Sequence, residues 1–263
     1  MGVELKSPAE LELMRQANQI VVEAHRAIAR SIRPGVSTAE LDALAVEAIG
    51  RHAGATSAFL GYYGFPASIC VAIDHEVVHG IPSPKRRLRE GSIVSVDVGV
   101  KYRGFIGDAA VTYPVGVVDE AARRLVATTR EALYRAIAVC RPGARLSDIG
   151  HAVESCAAPR GYGIVTDYVG HGVGRAMHEE PQVPNYGPPG RGPRLVPGMV
   201  LAIEPMINEG TGATRVLDDH WTVVTADGRR SAHFEHSVAI TADGPVVLSA
   251  GLPDDGAVLE NGR

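Results

Sequence analysis

The sequence predicts an α/β (α+β) fold assembled from two related halves in a pseudo-two-fold arrangement. Two observations carry that reading. Helical segments opened by capping signals alternate with β-branched apolar runs, and landmarks of the first half return in the second at nearly one offset. Arg33-Pro34-Gly35 recurs as Arg141-Pro142-Gly143, 108 residues on, and each is preceded ten residues earlier by Glu-Ala (Glu23-Ala24, Glu131-Ala132). Leu88-Arg89-Glu90-Gly91, leading to Asp97, recurs 107 residues later as Leu195-Val196-Pro197-Gly198, leading to Glu204. One domain over 1–251 is expected, with halves of roughly 1–118 and 119–251 and a flexible tail over 252–263.

Taken in order, Ser7-Pro8-Ala9-Glu10 joins an N-cap serine, a proline at the first helical position and a glutamate at the third. It opens a helix to about Ser31, stopped by Pro34-Gly35. Ser37-Thr38-Ala39-Glu40 opens a second helix, to about His52. Strands are expected near 67–73, 93–100 and 105–115. A turn centred between Tyr102 and Arg103 would set Asp97 directly opposite Asp108, on one face of a hairpin. Asp119 opens a third helix ending before Pro142, and Ser147 a fourth ending near Pro159. Strands are expected again near 200–206, 221–225, 233–241 and 245–248, with Asp227-Gly228 as a turn.

Bulk properties bound the function. At 263 residues with a net charge of −4, nothing marks a nucleic-acid groove or an anionic membrane as partner. Cys70, Cys140 and Cys156 are odd in number and contain no C-x-x-C pair, as in a reducing compartment. No apolar run has signal-peptide or transmembrane length. A cytoplasmic location is expected.

Chemistry is concentrated in Asp97, Asp108, His171, Glu204 and Glu235. Asp97 interrupts the apolar run Ile93 to Val98, and Glu204 interrupts Val200 to Met206. A carboxylate inside such a run is costly to bury unless it is paired or bound to a cation. Singly, each could be the partner of a buried arginine, and a lone histidine beside glycine is usually a turn residue. Four carboxylates and a histidine together suggest a site for two divalent metals, and an oxygen-rich donor set suits hard or borderline ions better than a thiolate zinc site does.

The densest signal is Tyr168-Val169-Gly170-His171-Gly172-Val173-Gly174-Arg175-Ala176-Met177-His178, completed by Val183, Asn185 and Tyr186. With Glu76-Val77-Val78-His79-Gly80-Ile81-Pro82, it resembles the signatures of the type I methionine aminopeptidases, and the resemblance runs over roughly residues 5–248. It implies a pita-bread fold with two α/β halves around a dinuclear metal site. It also implies removal of initiator methionine from nascent polypeptides when the second residue is Gly, Ala, Ser, Thr, Cys, Pro or Val. By resemblance, Asp97 holds one metal, His171 and Glu204 the other, and Asp108 and Glu235 bridge both. The ions would be two of Co, Mn, Fe or Zn, with a bridging hydroxide as nucleophile and Glu204 moving its proton. His79 and His178 match the family's catalytic histidines. Tyr62, Phe65, Cys70, Met177 and Trp221 are expected to enclose the methionine side chain. His75 stands where the family usually has Asn, and Met177 where Phe is common. A monomer is expected, with nascent N-termini and the ribosome surface as partners. Competing readings are an Xaa-Pro peptidase on the same fold, which carries a sizeable extra N-terminal domain, and a non-catalytic module that has lost ligands.

Overall fold

The computed structural model describes residues 2–253. Both expected capping boxes form. Ser7 Oγ accepts the Glu10 N–H while the Glu10 carboxylate accepts the Ser7 N–H at 2.8 Å, opening α1 (Pro8–Ala29). The same exchange between Ser37 and Glu40 opens α2 (Thr38–Gly50). Caps of this kind stabilise a helix by about 1 kcal/mol. Asp119 caps α3 (Glu120–Ala138) through the Ala122 N–H.

The fourth helix, α4 (Leu146–Ala157), departs from expectation at its start. Its N-cap is Arg145, whose N–H is taken by the Asp148 carboxylate at 2.7 Å. Ser147 Oγ instead accepts from the Arg191 N–H across the chain. Along α1, Met14, Ala17, Val21, Ala24 and Ile28 form a buried stripe at helical spacing. That stripe packs on the strands carrying Asp97 and Asp108.

In chain order the strands are β1 (Thr56–Ser57), β2 (Cys70–Ile73), β3 (Glu76–Val78), β4 (Ile93–Tyr102) and β5 (Phe105–Pro114), then β6 (Gly163–Ile164), β7 (Gly170–Gly172) and β8 (Glu179–Val183). After these come β9 (Val200–Ile203), β10 (Met206–Asn208), β11 (Thr214–Val216), β12 (Val223–Thr225), β13 (Ser231–His233), β14 (His236–Thr241) and β15 (Gly244–Val247). One sheet has the order β1-β4-β2 with β5 on β4, and a larger one runs β15-β14-β9-β7-β8. Two three-stranded sheets, β13-β10-β6 and β11-β12-β3, complete the set among the described residues.

The two offsets seen in the sequence carry matching bonds. The Gly35 N–H donates to Leu88 O and the Gly143 N–H to Leu195 O, each at 2.9 Å, with both glycines at φ +90°. Leu88 and Leu195 donate back to Val36 and Ala144 at 2.8 Å. Single bridges, Ser37 with Arg87 and Arg145 with Arg194, follow at the next residues.

Three further expectations need correcting. The β4–β5 hairpin turns on Arg103-Gly104, not between Tyr102 and Arg103, so Asp97 faces Ala110 and Asp108 faces Gly99. Arg103 and Gly104 both take positive φ, 49° and 84°, the mirror-image turn that matches strand twist and that glycine favours. The expected strands 200–206 and 233–241 are each broken, at Glu204-Pro205 and at Phe234-Glu235. Pro205 has no N–H for a ladder, and the Glu235 N–H turns away to Ala110 O on β5 at 2.9 Å. No described helix is long and apolar enough to cross a membrane. Leu252 is buried, and the remainder of the expected tail, 254–263, lies outside the described residues.

Candidate metal centre and its cavity

Asp97 and Asp108 are diagonal neighbours in the hairpin rather than directly opposed. A register shift of two residues keeps side chains on the same face, so both carboxylates still look into one site. Asp108 is gripped from both sides. Its N–H donates to Asn18 Oδ1 of α1 at 3.3 Å, and its carbonyl accepts the Ser237 hydroxyl of β14 at 2.9 Å.

Glu204 and Glu235 stand at the two strand breaks, and the Glu235 N–H bond to Ala110 O ties the second break to the β4–β5 hairpin. Asn185, from the Tyr168–Tyr186 motif, holds the Glu204 carbonyl at 3.1 Å. His171 rides on β7 between two glycines that have no room for side chains. A Cβ on Gly170 would lie 2.4 Å from Ala202 O, and one on Gly172 would lie 2.3 Å from Glu180 O.

The imidazole of His171 is set for coordination. Its Nδ1 lies 2.9 Å from Gly172 O, so Nδ1–H donates there and Nε2 keeps a free lone pair. That Nε2 is 3.5 Å from Glu204 Oε1 and 3.8 Å from Asp108 Oδ2. Donor atoms of Asp108, His171 and Glu235 all lie within 4.8 Å of one another. Asp97 Oδ1, Asp108 Oδ1 and Glu235 Oε1 are buried without a hydrogen-bond partner. Orphaned carboxylate oxygens converging on one point are what a divalent cation satisfies and what a protein alone does not. The donor set fits the implied metal.

Electrostatics agree. Burial and the Asp108 charge push Asp97 well above the ordinary carboxylate range, and burial with the Glu204 charge does the same to Asp108. Glu235 is raised by burial and Asp108, and burial lifts Glu204 to about 8. Burial lowers His171 to about 3 and His79 to about 4, which keeps both imidazoles neutral. Like charges crowded this way cost stability unless a cation neutralises them.

One cavity of about 200 Å³ brings together Asp97, Asp108, His171, Glu204, Glu235, His79, His178, Tyr62, Phe65, Cys70, Met177 and Trp221. Phe59 and Tyr63 also line it, and neither was singled out from the sequence. Phe59, Phe65, Cys70 and Met177 form a buried apolar cluster, with Tyr62 and Trp221 packed against it. Phe65 and Trp221 meet edge to face at 5.1 Å. Cys70 sits opposite Asp97 in the β2–β4 ladder, at the junction of the carboxylates and the apolar wall. At the rim, the Tyr62 hydroxyl meets His178 Nδ1 at 2.9 Å, and the His178 ring lies 4.3 Å from that of His171. His79 follows β3 at φ +60°, against Tyr168 and Trp221.

Sequence reasoning passed over His233. It is buried, its Nε2 has no hydrogen-bond partner, and that atom lies 3.6 Å from Glu204 Oε2. Glu204 therefore has an imidazole on each oxygen. The only signal in the sequence was its place two residues before Glu235.

Comparison with known proteins agrees with this geometry. The profile of metallopeptidase family M24 matches residues 12–242. Methionine aminopeptidase 1 of Bacillus subtilis (strain 168) is 49% identical over 244 residues, which are 93% of this chain and 98% of the relative. The crystal structure of methionine aminopeptidase from Thermotoga maritima superposes with a TM-score of 0.92 at 46% identity, covering 94% of this chain and 99% of that one. The prolidase from Pyrococcus horikoshii OT3 shares the fold alone, with a TM-score of 0.74 at 24% identity, over 93% of this chain and 63% of that one. A carboxylate-lined cavity in a pita-bread fold, matched nearly end to end by these relatives, places the chain in metallopeptidase family M24, among the methionine aminopeptidases.

Proposed function

We propose that this chain removes N-terminal methionine from new polypeptides whose second residue is small, in the cytoplasm, as a monomer, with its substrates delivered near the ribosome surface. The observation that carries the activity is that one cavity joins the acidic donor cluster to an apolar wall that includes Cys70 and Met177, soft side chains that suit a thioether. Asp97, Asp108, His171, Glu204 and Glu235 would hold two divalent ions (Co, Mn, Fe or Zn). Such ions acidify bound water and polarise a carbonyl.

The chain's own residues then divide the work. Glu204, ionised once a cation offsets its burial, accepts the proton of the attacking water and passes it to the leaving amine. Tyr62 donating to His178 Nδ1 fixes the tautomer with hydrogen on Nε2, free to donate to the substrate carbonyl oxygen as charge develops. His79 contacts the scissile amide nitrogen from the opposite rim.

Turnover of Met-Gly-Met against a Gly-Pro dipeptide tests the assignment. Cleavage of the first and not the second is expected. The reverse would make this an Xaa-Pro peptidase, and neither would make it a non-catalytic module.

His178→Ala is expected to lower kcat by about 10²–10³-fold while metal content by elemental analysis stays at the wild-type value. Loss of a metal equivalent in the purified variant would make His178 a ligand and not an oxyanion donor. His79→Ala should behave similarly.

A further inference from the structure

His79 occupies the left-handed backbone region at φ +60°, a conformation that is unfavourable for a non-glycine residue and persists only where its surroundings impose it. Beside it lies a half-buried cationic fork. Arg86 Nη1 donates to Ile81 O at 2.5 Å, two residues beyond His79. Its Nη2 donates to Val71 O at 3.0 Å and to the Glu76 carboxylate. Glu76 opens β3, the strand that ends one residue before His79, and its carboxylate also takes the Ile73 N–H at 2.7 Å.

Between these anchors Gly80 lies flat on β2. The Val71 N–H donates to Gly80 O at 2.9 Å, and a Cβ on Gly80 would sit 2.1 Å from Val71 O. Arg86 is fixed at its own backbone, where its carbonyl accepts the Thr38 N–H at the start of α2. The wall beside His79 leaves the same ladder. Val78 pairs with Val223 of β12, just after Trp221, whose N–H is held by Asp219.

We infer that Arg86 is a positioning residue, whose fork onto Ile81 O, Val71 O and Glu76 sets His79 in its reactive orientation at the cavity rim. The inference rests on the reading of His79 as a group that touches substrate. A planar guanidinium meets three acceptors on two segments at once, which the point charge of a lysine ammonium does not.

Arg86→Met is expected to lower kcat by about 10–10²-fold, the scale of a misplacement near 1 Å, with KM within about threefold and metal content unchanged. In a His79→Ala background the same substitution should cost nothing further, since residues acting through one another are not additive. Independently of activity, the His79 Cε1–H proton resonance should shift or broaden in Arg86→Met while that of His178 stays in place. Losses that add in the double variant, an unmoved His79 resonance, or full activity in Arg86→Lys would each overturn the inference. Should Arg86→Met not fold, Arg86→Lys takes its place in the cycle and the spectrum, since it keeps the charge and loses the fork. A wild-type enzyme inert on methionyl peptides would defeat the assigned function, and the resonance would still decide the role of Arg86.

Discussion

Asp108→Ala is expected to remove nearly all peptide turnover. If Asp108 is shared by both ions, its loss leaves Glu235 to bridge alone. The electrostatic assistance forfeited is several kcal/mol, about 10³-fold or more in rate. Metal content should fall with it. A variant retaining wild-type activity and metal content would sink the dinuclear reading.

The companion substitution Asp108→Asn gives a readout that needs no catalysis. In metal-free protein the buried carboxyls repel, and Asp97 and Glu235 are both raised partly by Asp108. A carboxyl whose pKa rises on folding contributes stability that is complete below its unfolded value, near pH 4, and lost as pH rises through its folded value. With Glu204 at about 8, metal-free wild type should lose stability as pH climbs from about 4 towards 8. Asp108→Asn should soften that loss, and its metal-free melting temperature at pH 8 should exceed that of wild type. Adding divalent metal should reverse the order.

Why some of this was legible in the sequence and some was not has physical reasons. The capping boxes at Ser7 and Ser37 are closed by residues three apart, so nothing distant is needed to read them. Ser147 was expected to open the fourth helix, but its hydroxyl is drawn off by the Arg191 N–H, a partner 44 residues away. The carboxylates Asp97 and Glu204 were visible because an acid in an apolar run is a local contradiction that a cation resolves. The hairpin register was not, since it depends on which pair of residues takes positive φ, and Arg103-Gly104 does so more readily than Tyr102-Arg103. Strands as short as Gly163–Ile164 and Gly170–Gly172 have too few residues to show a period and exist only through distant partners. The breaks at Glu204-Pro205 and Phe234-Glu235 belong to the same class. Each is half of a feature completed by a strand elsewhere, and so was the burial of His233 against Glu204.

Lys-Ala-Ser and Met-Lys-Ser are both expected to be poor substrates beside Met-Ala-Ser, and for different reasons. On the proposed reading, the first side chain enters the recess of Phe59, Phe65, Cys70, Met177 and Trp221, which offers no charged partner on its apolar side. Burying a methionine side chain there gains about 1.5–3 kcal/mol. A lysine ammonium forfeits its hydration for no compensating bond, at a cost of several kcal/mol, so kcat/KM for Lys-Ala-Ser should be lower by about 10³-fold or more. At the second position the constraint is steric. The expected constraint is the loop His79-Gly80-Ile81, of which His79 lines the cavity, and Gly80 lies against the β2 backbone with no space to retreat. A long side chain must push outward and take the scissile carbonyl with it, and a displacement near 1 Å costs roughly 10²-fold. The two penalties should separate in the kinetics. The first falls on binding and chemistry together, and the second falls mainly on kcat, because the methionine recess is still filled. Equal kcat/KM on all three peptides would mean that neither the recess nor the His79 rim sits where substrate binds.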